Sequence, residues 1–173
     1  MSRWIFLLIQ NYTVHPSSDS LFYHICHQFQ LLIFTDGSRT HNKSGGSWII
    51  TLSDGTKLVS GHNPEFGRHV NIKSYRSEIY SSLASFTFFE CYCDYFSLPF
   101  NNTIHTFCYN KSYVTKMNEF ISRPYSKLSI HKIKESEAYL AILSCLQVNF
   151  AINYIKGHQD DIKLNKDLTI AEN

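Results

Sequence analysis

No run of four or more basic residues occurs in this 173-residue chain, and its formal net charge is only +2. Charge alone therefore does not announce a nucleic-acid binder, and any such claim has to rest on motifs. CxxC pairs are absent as well: Cys26, Cys91, Cys93, Cys108 and Cys145 form an odd, irregularly spaced set. That excludes a disulfide framework and a zinc ribbon as the simple readings and favours a reducing, intracellular compartment. A zinc site built from His24, Cys26, His27, Cys91, Cys93 and Cys108 fails on spacing, because Cys91 and Cys93 sit two apart at a helix end, where side chains diverge. Long apolar runs are also missing. The opening Arg3 and the stretch Trp4 to Ile9 imitate the start of a signal peptide, but polar Gln10-Asn11 follows at once, too soon for a leader or a membrane span. Without a leader, the N-x-S/T triplets at Asn11, Asn42, Asn101 and Asn110 read as chance products of a chain rich in Asn, Ser and Thr.

What is present is 43% apolar side chains, enough for one well-filled core and too little chain for two. Residues 1–29 show no clear period and read as a lead-in. From Gln30 the punctuation becomes regular. Leu31-Leu32-Ile33-Phe34 is a buried strand ending at the turn Thr35-Asp36-Gly37-Ser38; Ser47 to Leu52, the hairpin turn Asp54-Gly55 and Lys57 to Gly61 complete an antiparallel meander. Ile79, Leu83, Phe86 and Phe89 place an amphipathic helix over 75–90, with Ser74 as its cap. Thr103 to Cys108 alternates as a strand, with its inward set either Ile104 and Thr106 or Thr103, His105 and Phe107. Asn110 can cap a helix from Lys111 to Phe120, Ser136 to Gln147 reads as another helix, and Phe150 to Ile155 as the last strand.

This βββαβααβ order suits an α/β fold with a mixed five-stranded sheet: three antiparallel strands, then parallel strands added beside the first through right-handed helical crossovers. Sites in such sheets form at the carboxyl ends of the parallel strands. The residues there are Asp36 and Tyr109. Singly, Asp36 reads as a turn aspartate and Glu78 as a carboxylate placed favourably in the first turns of its helix.

Together the landmarks say more. A strand ending in Thr35-Asp36-Gly37-Ser38, two further strands, Ser74-Tyr75-Arg76-Ser77-Glu78 opening a helix, Cys108-Tyr109-Asn110-Lys111-Ser112 at a strand-to-helix turn, and Lys156-Gly157-His158-Gln159-Asp160-Asp161 after the last strand keep one order and spacing. That pattern resembles the ribonuclease H type 1 domain of retroelement reverse transcriptases, over residues 30–161, leaving 162–173 as a truncated tail. The resemblance implies a ribonuclease H-like fold, RNA–DNA hybrid or duplex nucleic acid as partner, and Mg²⁺ or Mn²⁺ as cofactor. Enzymes of this kind hold two divalent ions with four carboxylates, so their chemistry depends on carboxylate count.

Asp36 and Glu78 match the first two carboxylates and would be the metal ligands. The third position holds Tyr109, whose phenol, with a pKa of about 10, is neutral at pH 7 and cannot balance a cation. The fourth belongs to a final helix that the chain does not match; Asp167 stands in a different context, and Asp160 and Asp161 belong to the loop. His158 matches a loop histidine linked to proton transfer or product release, here vestigial. The expectation is a catalytically defective copy, with Arg39, Arg76 and Asn110 as nucleic-acid contacts and Lys43, Arg68 and Lys73 as further cations. Two alternatives stay open: an active ribonuclease in which Asp160, Asp161 or Asp167 substitutes, and a non-catalytic binding module. If the final helix covers one sheet face, its loss should leave apolar surface exposed and the chain marginal or prone to associate.

Overall fold

The structure, a computed structural model, describes residues 7–15, 18–40, 43–64, 74–122, 135–144 and 149–156. Its elements are β1 (Tyr12–Val14), α1 (Ser18–Cys26), β2 (Leu31–Thr40), β3 (Lys43–Leu52), β4 (Lys57–Pro64), α2 (Ser74–Phe96), β5 (Ile104–Cys108), α3 (Lys111–Ser122), α4 (Ser136–Ser144) and β6 (Phe150–Tyr154). The sheet order is β1-β4-β3-β2-β5-β6, with β2 paired antiparallel to β3 and parallel to β5. The expected α/β architecture with a central first motif strand is present.

The sheet has six strands, not five. The sixth, β1, lies in the segment read as a lead-in and pairs antiparallel with β4, Tyr12 opposite Gly61. Its three residues are all exposed, so no side-chain period betrayed it; the backbone ladder alone defines it. The same segment joins the core, because Leu8, Leu21 and Ile25 are buried with the strand residues. α1 closes with Gln28 at a left-handed φ of 56°, the Phe29 and Gln28 N–H groups donating to the His24 and Ile25 carbonyls as in a Schellman stop. The Gln28 side chain then donates to the Pro99 carbonyl at 2.7 Å and accepts from the Asn101 N–H at 2.9 Å, tying residues 18–29 to the loop before β5.

One face of the sheet is lined by Leu31, Ile33 and Thr35 of β2, Trp48 and Ile50 of β3, and Ile104, Thr106 and Cys108 of β5, all buried. That settles the facing of β5 in favour of Ile104 and Thr106. α2 lies on this face and runs six residues past the expected end at Glu90. It stops at Ser97, φ 53°, where Leu98 N–H reaches the Cys93 carbonyl at 2.8 Å. Serine rather than glycine carries the stop, so the sequence offered no signal for it.

The helix can sit close because its contact stripe is small. Ser77, Ser81, Ser82 and Ser85 are fully buried; Ser77 lies against Gly37 and Ser81 against Gly46, which pair across β2 and β3. A Cβ on Gly37 would lie 2.4 Å from the Glu78 backbone nitrogen, and one on Gly46 would lie 1.8 Å from the Ser81 hydroxyl. The Ser81 hydroxyl donates to the Asp36 carbonyl at 3.0 Å, and Ser77 to the Ser38 carbonyl at 3.4 Å. Sequence thus fixes packing distance, and packing distance fixes where Glu78 begins.

Gly37→Ala should cost about 1–3 kcal/mol, since backbone rather than a flexible side chain must move, and Ile25→Ala about 2–5 kcal/mol by leaving a cavity. Denaturant melts check both; an Ile25→Ala melt unchanged from wild type would mean that α1 does not share the core.

Candidate functional site

Thr35 pairs with Cys108 across the parallel ladder; one residue further, β5 gives way to a bend at Tyr109, whereas β2 does not stop at Asp36 as expected but runs on to Thr40, with Asp36 opposite Ser47, because β3 keeps pairing with it. The two positions expected from sequence are therefore brought together at one rim. Asp36 is exposed and Tyr109 is 36% exposed, whereas Glu78, on the second turn of α2, is 5% exposed. Gly37 is what lets the Glu78 backbone reach this rim.

Glu78 is a carboxylate under electrostatic load. Burial, first, and then the nearby Asp36 carboxylate push its pKa from 4.5 up to about 7, against the opposing pull of hydrogen bonds from the Cys108 thiol and the Gly37 N–H. The thiol donates to Glu78 Oε2 at 3.4 Å. Burial, followed by the negative potential of Glu78, raises the Cys108 pKa in turn, so the sulfur stays protonated near neutrality. Sequence reading named Cys108 only in a rejected zinc set and in the strand-to-helix turn, and missed its contact with Glu78. Its signal was its place on the inward register of β5, two positions after Thr106.

Asn110 acts as the expected cap: its Oδ1 accepts the Tyr113 N–H at 3.0 Å. That oxygen anchors α3 behind the rim. Arg76 pairs with Glu135 at 3.5 Å, approaches the Tyr80 hydroxyl at 3.4 Å and lies over the Tyr80 ring; it braces α2 against the start of α4. The Arg39 and Lys43 side chains lie outside the described residues, as do Arg68, Lys73, His158, Asp160, Asp161 and Asp167.

Among the described residues, the rim brings only Asp36 and Glu78 to a pair of divalent ions. Mg²⁺ and Mn²⁺ want oxygen donors and several negative charges. Among the described residues no group of three or more His, Cys, Asp or Glu side chains is arranged to hold a metal. Of the two candidate carboxylates, Glu78 is buried and Asp36 exposed, and the side chain that hydrogen-bonds Glu78 is the Cys108 thiol, a soft donor.

No protein-family model and no curated protein matches the chain. Solved structures do. The crystal structure of LC11-RNase H1 in complex with RNA/DNA hybrid is similar over 79% of this chain and 92% of that one, with TM-score 0.55 and 16% sequence identity. RNase H1 from the halophilic archaeon Halobacterium salinarum NRC-1 is similar over 76% and 89%, with TM-score 0.50 and 11% identity. The fold is that of ribonuclease H. Identities this low carry architecture and not chemistry, which has to come from the site itself. Among the described residues, no helix is long and apolar enough to cross a membrane.

A pH dependence follows from Glu78. An acid with a raised folded pKa holds a proton in the folded chain that the unfolded chain has released, so stability falls as pH rises from about 4.5 to about 7 and stays low above. The size is on the order of 3 kcal/mol. Glu78→Gln should remove most of this slope and stabilise the chain at pH 8 relative to wild type; urea melts at pH 5 and pH 8 report it, and parallel slopes in both proteins would refute the burial argument.

Proposed function

We propose that this chain is a ribonuclease H-like nucleic-acid domain of retroelement origin whose hydrolytic centre is defective and whose remaining activity is binding of RNA–DNA hybrid or duplex. The observation that carries the reading is Tyr109 standing beside Asp36 where the family pattern has its third carboxylate. Retroelement origin rests on the Lys156 to Asp161 stretch. Binding can outlive hydrolysis because hybrid-binding folds grip mainly phosphates and 2′-hydroxyls, which need no metal. Arg39, Lys43, Arg68 and Lys73 are the cations proposed to make those contacts. Arg76 is proposed with them, although its guanidinium already serves Glu135. His158 is proposed to be a vestige of the family's loop histidine.

Cleavage of a labelled RNA–DNA hybrid in Mg²⁺ and in Mn²⁺ tests this directly. The chain should leave the hybrid uncut, while binding it with an affinity that falls steeply with salt, because phosphate contacts release counterions. A metal-dependent cut abolished by Asp36→Asn would overturn the defective-enzyme reading and favour a rearranged centre using Asp160, Asp161 or Asp167. Salt-independent or absent binding would remove the nucleic-acid reading altogether.

A further inference from the structure

The sheet face turned away from α2 carries two parallel rows of side chains. Strand alternation puts Phe34, Asp36 and Phe107 on this face, and Tyr109, just past β5, joins Phe34 and Asp36 in lining it. The ladder registers run Asp36 to Ser47 to His62, and beside that row Phe107 to Phe34 to Ile49 to Ser60 to Thr13. One row is polar and the other is largely aromatic and apolar. Within the second, the Phe34 and Phe107 rings stack with centroids 5.1 Å apart and planes 15° apart. Together with Tyr109, most of these residues line an open groove of about 870 Å³ whose far end carries Lys57 and Asp54.

We propose that this groove takes one unpaired nucleobase, its ring against Tyr109 and the Phe34 edge and its polar edge on Asp36, Ser47 and His62. The inference rests on the nucleic-acid reading above and names what that site adds to backbone contact. A flat ligand with one π face and one hydrogen-bonding edge matches an aromatic row set beside a polar row. An aliphatic chain would leave Asp36 and Ser47 unsatisfied, and a phosphate would meet the Asp36 and Asp54 carboxylates. A base can present face and edge together only when it is unstacked and unpaired, so the groove selects single-stranded or flipped nucleotides. The Asp36 side chain offers oxygen acceptors, which favours bases that present an exocyclic amino group, as adenine, cytosine and guanine do, over uracil, which presents only a ring N–H. Replacing a carboxylate by Tyr109 also removes a negative charge from the path of the strand, so the change that lowers metal affinity raises metal-free affinity for nucleic acid.

The test uses the full chain in EDTA at fixed salt, with a blunt RNA–DNA hybrid and the same hybrid carrying a short RNA overhang of A, C or U. The A and C overhangs should bind several-fold tighter than the blunt hybrid and the U overhang. Tyr109→Ala should erase that gain, roughly tenfold for one stacked base, while Tyr109→Phe keeps it and Asp36→Asn levels A, C and U. Shifts of the Phe34 and Phe107 ring protons on adding adenosine monophosphate give a readout independent of affinity. Overhangs that add nothing, or a Tyr109→Ala variant that keeps the gain, overturn the groove while leaving hybrid binding intact. Failure of every nucleic acid to bind overturns both this inference and the reading beneath it.

Discussion

Everything at the rim depends on how closely α2 can approach β2 and β3. Gly37 and Gly46 remove side chains from the sheet at the point of contact, and serines at 77, 81 and 82 keep the helix surface thin. Two serine hydroxyls then donate to the carbonyls of Asp36 and Ser38, so the same contact that packs the helix also sets the backbone carrying Asp36. A bulkier stripe would lift α2 and withdraw Glu78 from the rim. The constraint is geometric first and electrostatic second: proximity buries Glu78, and burial makes its charge costly.

That cost frames the functional question. A buried carboxylate raised toward neutrality is common where an ion or substrate is meant to compensate it. Here the groups around Glu78 do not complete such an arrangement among the described residues. Cys108 offers a protonated thiol, a soft donor that Mg²⁺ and Mn²⁺ do not favour, and Tyr109 offers a neutral ring. What remains at the rim among the described residues is the exposed Asp36 carboxylate, the buried Glu78 carboxylate and the Tyr109 ring, with the Phe34–Phe107 stack on the sheet face nearby. The proposal of nucleotide contact without hydrolysis rests on those properties.

Much of the fold was legible because its signals were strong and local. The apolar run Leu31 to Phe34, the Asp54-Gly55 hairpin and the Asn110 cap stand where expected, but the turn expected at Asp36-Gly37 is strand, because pairing with β3 carries β2 on to Thr40. Asp36 and Tyr109 were legible because each follows the last parallel pair of β2 and β5, Thr35 and Cys108. Missed features had weaker signals. Strand β1 is defined by backbone pairing with exposed side chains, and α2 overran its expected end because Ser97, not glycine, takes the left-handed stop. Cys108 looked like a buried strand residue until the approach of α2 set its sulfur against Glu78. The two-row groove depends on the registers of five strands, which no local window contains.

Ion binding at the rim is the property that separates a defective centre from a hydrolytic one. Titration of Mn²⁺ into the chain, followed by the paramagnetic resonance of the free ion in wild type and in Asp36→Asn, should show no pair of ions whose binding depends on Asp36. Two Mn²⁺ ions held together in wild type and lost in the variant would contradict a defective centre, and would mean that further carboxylates join Asp36 and Glu78 to rebuild a hydrolytic centre.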